Sequence, residues 1–108
     1  MTIHLPTPVA AYFHADKIGS DAVANCFADN AVVSDEGHTY EGRDSIKKWK
    51  DAASSKYQYE CEPLTTEQQG DTTIVSCRLT GNFPGGTAVL RFAFEFDGDR
   101  ISSLKIRP

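Results

Sequence analysis

Between residues 88 and 96 the chain alternates without a break: Leu90, Phe92, Phe94 and Phe96 fall on one side, Val89, Arg91, Ala93 and Glu95 on the other. Successive strand side chains point to opposite faces, so this run is a strand with one face buried. Three phenylalanines and a leucine in a row are too much apolar surface to leave in water, and a sheet carrying such a face must be covered by another layer. The rest of the second half adds strands to it. Tyr57, Tyr59 and Cys61 alternate with Gln58, Glu60 and Glu62, and over 72–79 Val75, Cys77 and Leu79 alternate with Ile74, Ser76 and Arg78. Reversals at Gln69-Gly70-Asp71, at 82–86 with Pro84 and two glycines, and at Asp97-Gly98-Asp99 link these strands to a last one at 101–106.

The first half has the other period. Pro6 and Pro8 suit a helix start, where a missing N–H costs nothing, and Val9, Tyr12, Phe13 and Ala15 give a helical face over 9–18 that Gly19-Ser20 stops. Ser20 or Asp21 caps a second helix whose buried side, Ala22, Val23, Cys26 and Phe27, ends it near Phe27. A short strand, Ala31-Val32-Val33, reverses through Ser34-Asp35-Glu36-Gly37 into an extended piece at 38–41. Gly42 breaks the chain, and Arg43 or Asp44 opens a helix over 44–55 with Ile46, Trp49 and Ala53 as one apolar stripe. The expectation is one α+β domain spanning 1–108: three N-terminal helices covering one face of an antiparallel sheet.

Charge narrows the partners. Eleven Lys and Arg against fifteen Asp and Glu leave a net charge of −4, which disfavours phosphate backbones, so no nucleic-acid partner is expected. Lys47, Lys48 and Lys50 read as the solvated face of the third helix. The longest apolar run falls far short of the roughly 20 residues of a membrane helix, so no membrane partner is expected. The opening residues lack a basic start followed by a long apolar stretch, so the expected location is cytoplasmic. Cys26, Cys61 and Cys77 are odd in number, widely spaced and set where the pattern asks for apolar residues; they read as buried free thiols. With no His-x-x-x-His and no carboxylate cluster of ligand spacing, neither a metal nor any other cofactor is expected.

Phe27-Ala28-Asp29-Asn30-Ala31, then Val33 and Asp35, then Gly42, Ile46 and Trp49 resembles the signature of the nuclear transport factor 2-like superfamily. Within it the chain is most similar to the SnoaL-like polyketide cyclase and ketosteroid isomerase branch. That resemblance implies a strongly curved sheet wrapped into a cystatin-like cone with an internal pocket. It sets Asp35 at the position of the general-base aspartate and Tyr12 at that of the tyrosine that hydrogen-bonds the oxyanion. Phe92 stands where the isomerases carry a protonated aspartate, and a phenyl ring donates no hydrogen bond, so half of that constellation is absent.

Each residue also has a plainer reading. Asp35 in an apolar pocket has its charge penalised and becomes a usable base, whereas Asp35 as a turn residue simply accepts backbone N–H bonds. Tyr12 is an oxyanion donor or an amphipathic core tyrosine. Phe27, Trp49, Tyr57, Tyr59, Leu90, Phe92 and Phe94 line a pocket if the cone forms, and describe a filled core if it does not. His38 follows the Asp35 turn and faces the pocket mouth, while His14 is about 200° round the helix from Tyr12. The function implied is binding of a small hydrophobic or aromatic carbonyl compound, with isomerisation, cyclisation or dehydration through Asp35. The alternative is a non-catalytic homodimeric ligand-binding or association module. Either way, the mixed outer face of Val89, Arg91, Ala93 and Glu95, continued by Ser76 and Arg78, suits a two-fold homodimer contact.

Overall fold

A computed structural model describes residues 5–56 and 58–108, so Tyr57 lies outside the described residues. Helix α1 (Thr7–Asp16) starts behind Pro6, with Pro8 in its first turn, and α2 (Ser20–Ala24) follows directly. Val9, Tyr12 and Phe13 of α1 and Val23 of α2 face the core. Strand β1 (Phe27–Asp35) begins at Phe27 itself, so Phe27 opens a strand rather than closing a helix. Its burial decides this: Phe27 pairs with Ile101 in the sheet, and both are fully buried.

Strand β2 (His38–Glu41) returns antiparallel to β1 through a two-residue turn, with Asp35 opposite His38. Both turn residues have positive φ, 52° at Glu36 and 79° at Gly37, the backbone that such a hairpin requires and that glycine takes without a Cβ penalty. Helix α3 (Gly42–Lys56) packs on α2, β1 and β2. Arg43 ties its first turn down, donating from Nε to the carbonyl of Phe27 at 2.9 Å and pairing with Asp29 at 2.9 Å.

The second half is a meander of long strands: β3 (Tyr59–Gln69), β4 (Thr72–Gly81), β5 (Thr87–Asp97) and β6 (Arg100–Arg107). All six strands form one sheet in the order β2-β1-β6-β5-β4-β3. The expected α+β class stands, with three corrections. The sheet is mixed rather than antiparallel, because β6 lies beside β1 in parallel; turn chemistry shows which strands form hairpins but not how two hairpin units join. The helices do not form one N-terminal block, since α3 follows the first hairpin. The sheet is not strongly curled. Its bends are local, at register shifts between Phe27 and Val32, Pro63 and Thr65, and Glu95 and Phe96.

The alternating face that the sequence singles out is the buried one. Phe92 and Phe94 of β5 meet Tyr12 and Phe13 of α1, with the Tyr12 and Phe94 rings edge to face at 5.5 Å. Cys77 lies in this core as a free thiol, but Cys26 and Cys61 are only half-buried, so the expectation of three buried thiols holds for one. Among the described residues no helix is long and apolar enough to cross a membrane.

Candidate functional site

The apolar layer between helices and sheet is not filled throughout. A cavity of about 340 Å³ opens between α1, α3 and the inner faces of β3 to β6. This falls at the small end of the range for small-molecule sites. Leu79, Leu90, Phe92 and Ile106 supply its apolar floor, Trp49 and Ala53 its α3 wall, and Phe83 and Pro84 its rim. Two polar groups of opposite character break this lining.

The first is built on the β1 hairpin. Strand direction and the tight turn carry Asp35 to the cavity edge, where Trp49 of α3 donates its indole N–H to the carboxylate at 3.0 Å. Burial pushes the Asp35 carboxyl above its usual value; the like charge of Glu36 pushes the same way, while the Trp49 hydrogen bond, the Lys50 ammonium and a bond from the Glu36 backbone N–H of the turn hold it down. Desolvation is the largest of these effects, and the net direction is upward.

The second group is Asp16, Lys50 and Tyr59. Lys50, only 4% exposed, forms an ion pair with Asp16 and donates a 2.8 Å hydrogen bond to the Tyr59 hydroxyl oxygen. Its ammonium also stands 5.3 Å from the Trp49 ring and 5.4 Å from that of Tyr59. Burial alone would lower the Lys50 pKa, but Asp16 and Tyr59 together outweigh it and raise it. Burial likewise raises Tyr59 despite Lys50, which pulls it down. Tyr12 borders the same space at 1% exposure, and its hydroxyl has no hydrogen-bond partner among the described residues. Burial, and then the charge of Asp16, push that phenol well above its usual value. No buried polar side-chain atom among the described residues lacks a partner, so the Tyr12 hydroxyl is open to the cavity, and a phenol that stays protonated there is a donor available to an acceptor.

Of the residues the sequence singles out, Asp35, Tyr12, Trp49, Tyr59, Leu90 and Phe92 border the cavity. Phe27 and Phe94 do not: both are fully buried and packed against the Tyr12 ring from the core side. His38 is exposed on β2 and His14 exposed on α1, neither in the cavity wall. Asp16 and Lys50 escaped the sequence reading, and Lys50 was placed on the solvated face. The signal was present in the spacing: Lys50 is four residues after Ile46 and next to Trp49, on the apolar stripe, and Asp16 is four residues after Tyr12. Two opposite charges on buried helix faces call for each other. Among the described residues no cluster of His, Cys, Asp or Glu has the makings of a metal site.

Comparison with known proteins bears on the whole chain. Residues 9–104 match the SnoaL-like domain model. A Sinorhizobium meliloti protein described as a candidate polyketide cyclase is 38% identical, superposes with a TM-score of 0.90, and is covered over 95% of each chain. A Catenulispora acidiphila protein of ketosteroid isomerase-like fold, crystallised with trimethylamine, is 19% identical with a TM-score of 0.87, over 97% of this chain and 87% of that one. An epoxide hydrolase/cyclase-like enzyme of pyran ring formation in the polyether salinomycin is 20% identical with a TM-score of 0.72, over 93% and 86%. The last two are likenesses of fold. No curated protein matches the chain.

Proposed function

The chain belongs to the SnoaL-like domain family, and on that premise we propose that it binds a small hydrophobic carbonyl compound and moves a proton on it, with Asp35 as general base. The observation that carries this reading is the pairing, in one cavity, of a carboxylate whose charge is penalised with a phenol whose ring is buried and whose hydroxyl has no hydrogen-bond partner among the described residues and is open to the cavity. A base raised toward neutrality takes a proton from carbon next to a carbonyl more readily, and Tyr12 donates to the oxyanion that forms. Isomerisation, cyclisation and dehydration all pass through that enolate, and the step itself draws on no cofactor. The S. meliloti relative's description as a polyketide cyclase supports the same class of ligand. The three thiols, free among the described residues, support a reducing, cytoplasmic setting.

The test needs no knowledge of the natural substrate. 2-Tetralone, a small apolar ketone, exchanges its acidic protons with deuterated water, and mass spectrometry reads the rate. The protein should accelerate this exchange, and Asp35→Asn should remove at least about 100-fold of that acceleration while keeping the fold. No acceleration by the unaltered protein sinks the base assignment.

Assembly belongs to the same reading: the protein is a homodimer through the outer face of β4 and β5. On that face Val89 is 54% exposed, and the neighbouring arginines are already neutralised within the chain, Arg78 by Glu62 at 2.6 Å and Arg91 by Glu67 at 3.8 Å. A partly apolar, charge-balanced surface is suited to self-contact. Sedimentation should give a dimer at micromolar concentration that Val89→Asp converts to monomer; a monomer for the unaltered protein removes this part.

A further inference from the structure

We propose that the Tyr59 hydroxyl, held in place by Lys50 and Asp16, is the second hydrogen-bond donor to the ligand's oxygen, so that the cavity is specific for a neutral carbonyl compound. This rests on the function proposed above and assigns the task that Phe92 cannot perform.

The argument starts from hydrogen-bond inventory. An ammonium only donates, so in the 2.8 Å contact Lys50 donates and the Tyr59 oxygen accepts. The Tyr59 proton therefore remains to be given away, and no other side chain accepts it among the described residues. The phenol borders the cavity, where that proton has an outlet. Accepting a bond from a cation draws electron density out of the phenol oxygen and makes its O–H a stronger donor.

Two further features hold the group still. Lys50 does not swing away without leaving the Asp16 carboxylate largely buried and unpaired. On the backbone side, Gly81 lies opposite Tyr59 in the β3–β4 pair, and a Cβ there would collide with the Gln58 carbonyl and the Tyr59 Cα; the missing side chain lets the strands close at that point. Charge then selects the ligand. Among the described residues Asp16, Asp35 and Glu36 border the cavity against one cation, Lys50, so a ligand carboxylate meets an excess of its own sign. A neutral ketone does not. Asp35 removes a proton from the carbon beside the carbonyl, the C–H electron pair becomes the enolate C=C, and the carbonyl π pair moves onto oxygen. That oxygen then accepts from Tyr12 and Tyr59, and the proton returns from the Asp35 carboxyl to carbon. The negative charge appears where the two donors are, and only in the course of the reaction. Tyr59 thus joins Asp35 and Tyr12 as a catalytic residue in this scheme; Lys50 and Asp16 position it.

The probes are 2-naphthol and naphthalene, equal in shape except for the hydroxyl, with binding read by fluorescence and the fold checked by melting. The unaltered protein should prefer 2-naphthol. Tyr59→Phe, which leaves the Lys50 ion pair intact, should weaken 2-naphthol about tenfold and leave naphthalene within about twofold. The double variant Asp16→Asn with Lys50→Met, which strands no charge, should also lower the naphthol-to-naphthalene preference, a ratio that a purely structural role would not move. Lys48→Met, exposed on the same helix, serves as control. Tyr59→Phe that keeps the preference overturns the proposal, as does a double variant that keeps it. The 2-tetralone exchange separates the two readings. Exchange by the unaltered protein with an unchanged preference in Tyr59→Phe sinks this assignment alone. A lost preference without exchange sinks the Asp35 base and leaves the Tyr59 donor standing.

Discussion

Asp16 and Asp35 border the same cavity and teach opposite lessons about a half-hidden carboxylate. Asp16 is matched by a full cation, and that cation is bound in turn by Tyr59, so the charges balance and the group is locked. Asp35 has a neutral indole N–H as its side-chain hydrogen-bond partner and Glu36 beside it, and its charge remains under strain. A matched charge specifies structure, because removing either half is costly. An undermatched one is available for chemistry, because the protein gains when it takes up a proton.

The largest effect expected from this contrast is at Lys50. Lys50→Met should cost about 3 kcal/mol in urea unfolding, since it strands Asp16 in a site with little access to water. Adding Asp16→Asn should restore most of it. A single variant that costs under about 1 kcal/mol would break the contrast, for Asp16 would then be no better matched than Asp35.

At Asp35 the sign reverses. Its native carboxyl binds a proton more tightly than that of the unfolded chain, whose value is 3.8. The stabilisation this gives is fully present below 3.8 and is lost as pH rises through the raised native value. Asp35→Asn has no such loss, and its carbonyl still accepts from Trp49. The variant should therefore be more stable than the parent at neutral pH, by no more than ~0.5 kcal/mol because solvent screens a half-exposed carboxylate, with a gap that closes toward pH 3.8. A destabilised variant, together with an Asp35 NMR titration below the free value, would make both carboxylates structural.

The smallest effect concerns Cys61, which borders the cavity on β3 two residues from Tyr59. Half-buried Cys26 and Cys61 should react with a thiol reagent before buried Cys77. Saturating 2-naphthol should slow Cys61 severalfold and leave Cys26 unchanged, read by peptide mass mapping. Equal protection of both would place the ligand elsewhere and remove the cavity from the comparison.

What the sequence determined by itself is what depends on local pattern. The alternation at Phe92 and Phe94 dictated a strand with one buried face, the reversal within Ser34-Asp35-Glu36-Gly37 dictated a hairpin that the structure tightens to Glu36 and Gly37, and Ile46 and Trp49 dictated the buried side of α3. Asp35 was legible as a candidate only through the resemblance of the residues around it to a family signature, although its place beside a turn follows from local pattern. Tertiary structure decided whatever depends on two distant segments meeting. The β1–β6 parallel pair, the sorting of aromatics into cavity wall (Trp49, Tyr59, Phe92) and solid core (Phe27, Phe94), and the half-exposure of Cys26 and Cys61 have no local signature. Lys50 shows why most clearly. On α3 alone a lysine beside Lys47 and Lys48 belongs in water, because burying an ammonium costs several kcal/mol. That cost is met only when Asp16 from α1 and Tyr59 from β3, 34 and 9 residues away in sequence, arrive at the same point in space.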